Sequence, residues 1–197
     1  MNHLFPNGET HDAHRRHYVL LDNKSVLEQA AERARALGFA IEIATDISEQ
    51  HVTEGCEHLL TRFLKLRRSS GLERVVCLVS GGEFKCPVRG TGYGGRNAET
   101  ALRLAIEMDA HRERTDANHV SMVTLSAGTD GIDGNSPAAG ALADELTLTS
   151  ARALQLDARR FLDASDAYSF FAALDDALMT GPTGTNVRDL RPDAGKR

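Results

Sequence analysis

The sequence predicts an α/β domain whose mostly parallel sheet is flanked by helices, with ligand loops at the carboxyl ends of the strands. Segments typical of strands alternate with segments typical of helices along most of the chain. The segment Arg74–Ser80 is almost continuously apolar, which indicates a strand buried on both faces, as in a parallel sheet. Loops rich in glycine, hydroxyl and aspartate residues follow the predicted strands, where ligands bind in folds of this class.

We divide the 197-residue chain into a polar lead-in (1–17), one α/β domain (18–191) and a polar tail (192–197). Hydrophobic residues make up 41% of the chain and charged residues 26%, which is typical of a globular protein. A chain of this length has enough apolar side chains to form one sizeable core.

The amino-terminal half predicts two strands and two helices. The apolar run Tyr18–Leu21 predicts a short strand, and helical spacing then predicts a helix that ends before Gly38. Alternating residues in Phe39–Ile43 predict the next strand. A second helix opens at Asp46 or Ser48. Its predicted apolar face consists of Val52, Cys56, Leu59, Leu60 and Phe63.

The carboxyl-terminal half continues the alternation of strands and helices. The predicted strands are Arg74–Ser80, His119–Leu125 and Val187–Leu190, with a short run at Phe84–Val88. The predicted helices are Asn97–Met108, Thr149–Leu156 and Asp166–Leu178. The buried stripe of the first of these helices comprises Ala101, Leu104, Ala105 and Met108.

Charge and cysteine content narrow the partners and the compartment. The net charge of −5 argues against a nucleic-acid partner. No apolar run approaches the roughly 20 residues that a membrane span needs, so no membrane partner is expected. The three cysteines, Cys56, Cys77 and Cys86, show neither a disulfide framework nor metal-ligand spacing. We therefore expect a reducing, cytoplasmic location.

Two loops are candidates for binding an anionic ligand. In the first, Gly81 and Gly82 allow close approach of the backbone, and Glu83 binds a hydroxyl or a metal unless it is simply solvated in a turn. The second, Arg89–Asn97, places four glycines just before a helix, which favours an anion cradle. Its arginines add donors suited to phosphate or carboxylate.

The same glycine-rich loop fits a second pattern loosely. Gly90, Gly92 and Gly95 match the spacing of a dinucleotide-binding fingerprint. The acidic residue expected to close a following strand is not evident, so the match is weak.

Two further loops supply oxygen and hydroxyl groups. Asp130 and Asp133 stand three residues apart among glycines, a pattern that suits Mg²⁺ or that simply forms turns. The segment Thr180–Asn186 collects hydroxyl and amide donors that suit a small polar acid, or it is a plain connector. Four such loops on one sheet provide what a site for a phosphorylated ligand and a metal requires.

The same loops resemble the conserved stretches of the MOFRL domain, the C-terminal part of the glycerate 2-kinase family, some members of which are named hydroxypyruvate reductases. The stretches that carry this resemblance are LVSGGE (Leu78–Glu83), RGTGYGGRNAE (Arg89–Glu99), SAGTDGIDG (Ser126–Gly134) and TGPTGTNVRDL (Thr180–Leu190). They occur in the order that the family has.

The resemblance implies ATP-dependent phosphorylation of glycerate at its 2-hydroxyl, with Mg²⁺. It implies that Arg96 stabilises the transferring phosphoryl group and that Asp130 is also catalytic, with Asp130 and Asp133 holding the metal. The implied nucleotide-binding residues are Gly81, Gly82, Gly92, Gly94, Gly95 and Asn97. The implied substrate-binding residues are Glu83, Thr183, Thr185 and Asn186.

The family's enzymes also have an N-terminal domain that supplies a catalytic lysine and has no counterpart in this sequence. A second copy of the chain or a separate N-terminal half is therefore an expected partner, besides the small acid substrate. Two alternatives stay open. One is a non-catalytic binding or interaction module, and the weaker one is an NAD(P)H-dependent hydroxypyruvate reductase.

Overall fold

One six-stranded sheet with helices on both faces forms the centre of the protein. The structure, a computed structural model, describes residues 20–70, 75–114 and 121–196, without the side chains of 112–114. The expected lead-in 1–17 and most of the strand expected at 18–21 lie outside these residues. Leu20 and Leu21, which are described, are not in a strand, and Leu20 is 92% exposed.

The helices and strands follow one another in an irregular alternation. Their bounds are α1 Asn23–Ala36, β1 Ala40–Ala44, α2 Val52–Ser69, β2 Val76–Gly82, α3 Arg96–Arg114, β3 Ser121–Gly128, β4 Gly140–Asp144, α4 Thr147–Ala153, α5 Ala158–Asp163, α6 Ala167–Leu174, β5 Ala177–Leu178 and β6 Asp189–Lys196. Two elements were not predicted, namely β4, which consists mainly of alanine and glycine, and α5, which has only six residues. The run at Phe84–Val88 forms an isolated bridge at Lys85 and no strand.

The strand order is β1-β2-β6-β3-β4-β5, and the sheet is mostly antiparallel. Only β1 and β2 pair in parallel, because the last strand, β6, inserts between β2 and β3 and runs against both. The prediction of a mostly parallel sheet is therefore wrong. Strand β2 is buried throughout because helices cover both of its faces, and burial of that kind does not reveal the direction of its neighbour.

The prediction of a polar tail at 192–197 is also wrong. Residues 192–196 form the second half of β6, a central strand. The segment was read as a tail because charged residues and a proline are unusual in the middle of a sheet.

Helices pack unequally on the two faces of the sheet. Helix α1 packs alone on one face, where Leu27 and Ala34 contact Cys77 and Val79. On the other face, α2, α3 and the three short helices form the main core. The predicted apolar stripes of α2 and α3 are all buried there, which confirms both helices. Within the described residues, no helix is long and apolar enough to cross a membrane.

Strand directions bring the loops to one edge of the sheet. Both β2 and β3 run antiparallel to β6, so their carboxyl ends lie where β6 begins. Gly82 and Gly128, the last residues of β2 and β3, flank Asp189 in register. The predicted gathering of loops at the carboxyl ends of strands is therefore confirmed for the loops after β2 and β3, and the loop that leads into β6 meets them at the same edge.

Candidate functional site

An open cleft of about 620 Å³ lies at this edge of the sheet. Its walls are the segment after β2, the glycine-rich loop before α3 and the loop after β3. The polar wall includes Arg96 and Asp130, and the apolar wall includes Phe84, Pro87 and Val88. The volume is in the range of sites that bind small molecules and cofactors.

Arg96, the first residue of α3, is held in place by two carboxylates. Its Nε donates to Asp189 Oδ2 at 2.7 Å, and its Nη2 donates to Asp189 Oδ1 at 3.1 Å. Nη2 also donates to Glu83 Oε1 at 3.0 Å. The hydrogen bond to Asp189 raises the pKa of Arg96 above its ordinary value, so a permanent cation lines the cleft.

Asp189 was not among the site residues expected from the sequence. Its side chain is fully buried at the start of β6, and it also accepts from Asn97 Nδ2 at 3.1 Å. Arg191 Nη1 lies 3.5 Å from Asp189 Oδ2. Charged residues at alternate positions of β6 place Asp189, Arg191 and Asp193 on one face of the strand, a period of two that was visible in the sequence.

Arg191 connects this carboxylate to β2. Its buried guanidinium donates to Ser80 Oγ at 3.1 Å and to the carbonyl of Gly81, and it lies 3.9 Å from the centre of the Phe84 ring. Burial lowers the pKa of Arg191 to about 10. The group is therefore still a cation at neutral pH and balances the charge of Asp189.

Asp133 caps α3. Its Oδ1 accepts from the amide of Asn97 at 2.9 Å and its Oδ2 from the amide of Ala98 at 2.8 Å, and burial raises its pKa. We expected Asp133 to hold a metal ion, but the structure places both oxygens on the first turn of the helix. A carboxylate there stabilises the free amides and the positive end of the helix dipole.

Asn97, expected to bind a nucleotide, connects three parts of the protein. Its side-chain amide donates to Asp133 and Asp189, and its Oδ1 accepts from Ser126 Oγ at 2.7 Å. The residue is buried, so its polar atoms organise the base of the cleft.

The glycine-rich loop uses its amides within the protein. The amide of Gly92 donates to the Ala164 carbonyl at 3.0 Å, and the amide of Gly94 donates to Asn135 Oδ1 at 2.9 Å. A Cβ at Gly92 would overlap Asp166. These glycines let the loop pack closely, and their amides are not free for an anion or a dinucleotide, contrary to the cradle we expected.

Gly95 also lies against protein atoms, although it lines the cleft. A Cβ there would overlap Asp133 Oδ1 and would lie 2.5 Å from the amide nitrogen of Gly134. Gly95 is therefore required for the close contact between the glycine-rich loop and the loop after β3.

Gly81 and Gly82 do not line the cleft. A Cβ at Gly81 would overlap the side chain of Asn23, the first residue of α1. Gly82 has a φ of +90°, and a Cβ there would lie 2.6 Å from Ser48. Gly81 instead lines a separate pocket with Lys24 and Ser48, so the pair expected to bind the nucleotide lies apart from the cleft.

The loops after β3 and before β6 are joined around Asp130. Asp130 Oδ2 accepts from Asn186 Nδ2 at 3.4 Å, and its carbonyl accepts from the Thr183 amide at 3.0 Å. Thr183 Oγ1 donates to the carbonyls of Thr129 and Thr185. Asp130 lines the cleft, whereas Thr183, Thr185 and Asn186 are exposed beside it, so the structure brings together the residues expected in these two loops.

The donor set suits a metal that takes only one protein ligand. No group of three or more His, Cys, Asp or Glu side chains within the described ranges is arranged to hold a metal ion. Magnesium is commonly bound by one or two carboxylates, with water and phosphate oxygens completing its shell. Of the two aspartates expected to hold the metal, Asp130 is the one that caps no helix and lines the open cleft; its Oδ1 accepts from the amide of Ile132 and its Oδ2 from Asn186.

Known proteins resemble this chain over most of the described residues. The MOFRL family matches residues 76–189. A D-glycerate 2-kinase of Thermotoga maritima is 33% identical over 168 residues, which are 85% of this chain and 38% of that protein. A glycerate kinase of Rattus norvegicus is 42% identical over 118 residues, covering 58% of this chain and 22% of that protein.

A solved structure agrees with these matches. The crystal structure of a glycerate kinase from Thermotoga maritima superposes with a TM-score of 0.77 and 32% identity, covering 87% of this chain and 40% of that one. The chain thus spans well under half the length of the curated relatives it matches.

Proposed function

Because the chain belongs to the MOFRL family, we propose that it forms part of a glycerate 2-kinase, which transfers a phosphoryl group from ATP to the 2-hydroxyl of glycerate. The observation that carries this proposal is the position of Arg96. Among the described residues that line the cleft, it is the sole cation, and Asp189 and Glu83 hold it in place.

A fixed cation suits phosphoryl transfer. The transferring group carries its charge on three equatorial oxygens, so catalysis depends mainly on positioning and on preorganised positive charge. Arg96 provides such a charge without having to rearrange, because Asp189 already holds its guanidinium. When bound at Asp130, Mg²⁺ would neutralise further phosphate oxygens on the same polar wall of the cleft.

The acceptor side of the site is formed by polar loop residues. Glu83 is 44% exposed at its side chain, and its contact with Arg96 uses only Oε1. We assign its other oxygen to a hydroxyl of glycerate. Asn186 lies beside Asp130 and uses one of its two side-chain N–H groups there, which leaves the other as a neutral donor for a small hydroxy acid. The Thr183 hydroxyl holds the carbonyl of Thr129 and so shapes the same loop.

The charge of the cleft indicates that further cationic groups join it. A nucleoside triphosphate brings several negative charges, whereas Arg96 is the one cation of the described lining, where Glu99 is already paired with Arg103. We propose that a second copy of this chain, or a polypeptide matching the rest of the longer relatives, supplies them. The three free cysteines fit activity in a reducing compartment such as the cytoplasm.

A non-catalytic binding module is a second candidate, favoured by apolar side chains around the cleft. Val88 is 82% exposed, and Tyr93 and Ile132 are about half exposed or more. Exposed apolar groups that cluster at a cleft are typical of a surface that another protein covers. In this case the chain would bind its ligand and partner without turnover.

The test is ATP-dependent formation of phosphoglycerate by the purified chain with Mg²⁺. We expect Arg96→Ala to reduce turnover by about a hundredfold or more, the typical effect of removing a preorganised donor. Arg33→Ala is the control, since Arg33 is exposed on α1 and does not line the cleft. Turnover that Arg96→Ala leaves intact contradicts the proposal. A folded chain that binds ATP without turnover is assayed again with a polypeptide matching the rest of the longer relatives, and no turnover in that mixture favours the binding module.

A further inference from the structure

We propose that Asp189 is a positioning residue, which holds the guanidinium of Arg96 so that its Nη1 group is presented to the ligand in the cleft. This inference rests on the proposed function in one respect, namely that the ligand is anionic. Neither the sequence motifs nor the proposed reaction assigns a role to Asp189.

Counting the donors of Arg96 shows which of them face a ligand. A guanidinium has five N–H donors. Three are used, because Nε donates to Asp189, and Nη2 donates once to Asp189 and once to Glu83. For the two donors on Nη1, no acceptor is found among the residues that the structure describes. Since Arg96 lines the cleft, these two donors form its anion-binding group.

Of the two carboxylates on Arg96, Asp189 is the one that fixes its orientation. The side chain of Asp189 is 1% exposed and contacts Arg96 through both oxygens, whereas Glu83 is 44% exposed and contacts it through one. The backbone of Asp189 pairs with Gly82 on one side and Gly128 on the other. A two-pronged contact from a central strand leaves the guanidinium little freedom to rotate.

Arg191 keeps this arrangement favourable for an anion. A buried carboxylate alone would offset the charge of Arg96, but Arg191 lies 3.5 Å from the same Asp189 oxygen and neutralises it. Arg191 is itself anchored by Ser80 and by the ring of Phe84. The charge of Arg96 is therefore left for the ligand, apart from its contact with Glu83.

The chain offers a matched control on the same strand. Asp193 lies two residues beyond Asp189 on the same face of β6 and is equally buried, but it accepts from Thr124 and does not contact Arg96. We would compare Asp189→Asn with Asp193→Asn. The first readout is the hydrogen exchange of the Arg96 Nε–Hε group by NMR, its signal identified by its loss in Arg96→Lys. The second is the affinity for inorganic phosphate.

In the wild-type chain and in Asp193→Asn, the Arg96 Nε–Hε signal is expected to exchange at least tenfold more slowly than that of exposed Arg33. In Asp189→Asn this protection is lost and phosphate affinity falls about tenfold or more, while the fold, followed by circular dichroism, is retained. If Asp189→Asn does not fold, the exchange rate of the Arg96 Nε–Hε group in the wild-type chain still tests the inference. An Arg96 signal that exchanges as fast as that of Arg33 overturns the inference, and so does unchanged protection in a folded Asp189→Asn. The exchange readout needs no ligand, so it is separate from failure of the kinase proposal.

Discussion

Two segments border the cleft and use their polar groups in opposite ways. The glycine-rich loop Gly90–Gly95 has the composition of an anion cradle, yet the amides of Gly92 and Gly94 bind other loops. The start of β6 has no glycine-rich or other loop pattern typical of a ligand site, yet Asp189 positions the one cation that lines the described cleft. The comparison shows that glycines close to a ligand site can serve packing, while the ligand-binding charge is set by a residue elsewhere.

The largest expected effect concerns packing at the glycine-rich loop. Gly95→Ala places a methyl group against Asp133 and the backbone of Gly134, and we expect it to lower the free energy of unfolding by about 3 kcal/mol or more. Gly184→Ala is the control, because nothing lies within 4 Å of its Cβ and its φ of +74° alone costs about 1 kcal/mol. Urea unfolding of both variants measures the difference, and equal effects would mean that close packing is not the reason for Gly95.

The next effect tests Asp133 as a helix cap. Asp133→Ala removes the acceptors of two amides in the buried first turn of α3, and we expect a loss of about 2 kcal/mol in unfolding free energy. Asp157→Ala removes the same kind of cap from the exposed, six-residue α5, and we expect about 1 kcal/mol or less. If Asp133 instead serves only a metal, the two variants would differ little in metal-free buffer.

A pH-dependent effect is expected at Asp193, the buried carboxylate in the middle of β6. Burial raises the pKa of Asp193 to about 7 from 3.8, with the bond from Thr124 and the charge of Arg191 opposing the shift. Between these values the native chain holds a proton that the unfolded chain has lost, so stability falls as pH rises. The slope is at most about 1.4 kcal/mol per pH unit.

Asp193→Asn removes this titration. Relative to the wild-type chain, the variant is expected to gain stability steadily from pH 5 to pH 7 and to gain nothing further above pH 8. Thermal or urea unfolding over this range measures the difference, in which the other titrating groups cancel. A difference that does not change with pH would show that Asp193 is ionised throughout.

The smallest effect is expected at the exposed end of the same region. Arg188, just before β6, donates to Glu49 at 2.8 Å, and both side chains are more than half exposed. Glu49→Gln should change the unfolding free energy by less than about 0.5 kcal/mol, because exposed ion pairs contribute little. A loss several times larger would show that this exposed ion pair also stabilises the fold, as the buried charged residues of β6 do.

The elements of the fold that could be predicted from the sequence are those whose residue pattern reflects contacts within the element itself. The stripes of α2 and α3 were predicted because helical spacing reports burial within one element. The predicted strand at Val187–Leu190 is shorter than β6. The charged residues of β6 bind partners more than 60 residues away in the chain, such as Thr124 for Asp193 and Arg96 for Asp189, and the sequence does not show those partners. The direction of β6 against β2 follows from that long-range pairing, which no local period encodes.

The candidate site was predictable in outline. The loops after β2 and β3 were located correctly at one edge, and Arg96 and Asp130, which were selected from the sequence, line the cleft there. The roles of Asp133, Gly81 and Gly92 were not, because capping a helix and packing a loop use the same residue types as binding a ligand. A glycine-rich pattern indicates that the backbone lies close to other atoms, and the structure shows that these atoms belong to the protein itself.

The most direct test of the account follows amide and arginine NMR signals while inorganic phosphate is added to the labelled chain. If Arg96 is the anion-binding group, phosphate shifts the Arg96 side-chain signals in a saturable manner, moves the amides of Gly92 and Gly94 much less, and no longer binds measurably to Arg96→Ala. If phosphate binds Arg96→Ala with unchanged affinity and the Gly92 and Gly94 amides move most, the glycine-rich loop is the anion site and the account is wrong.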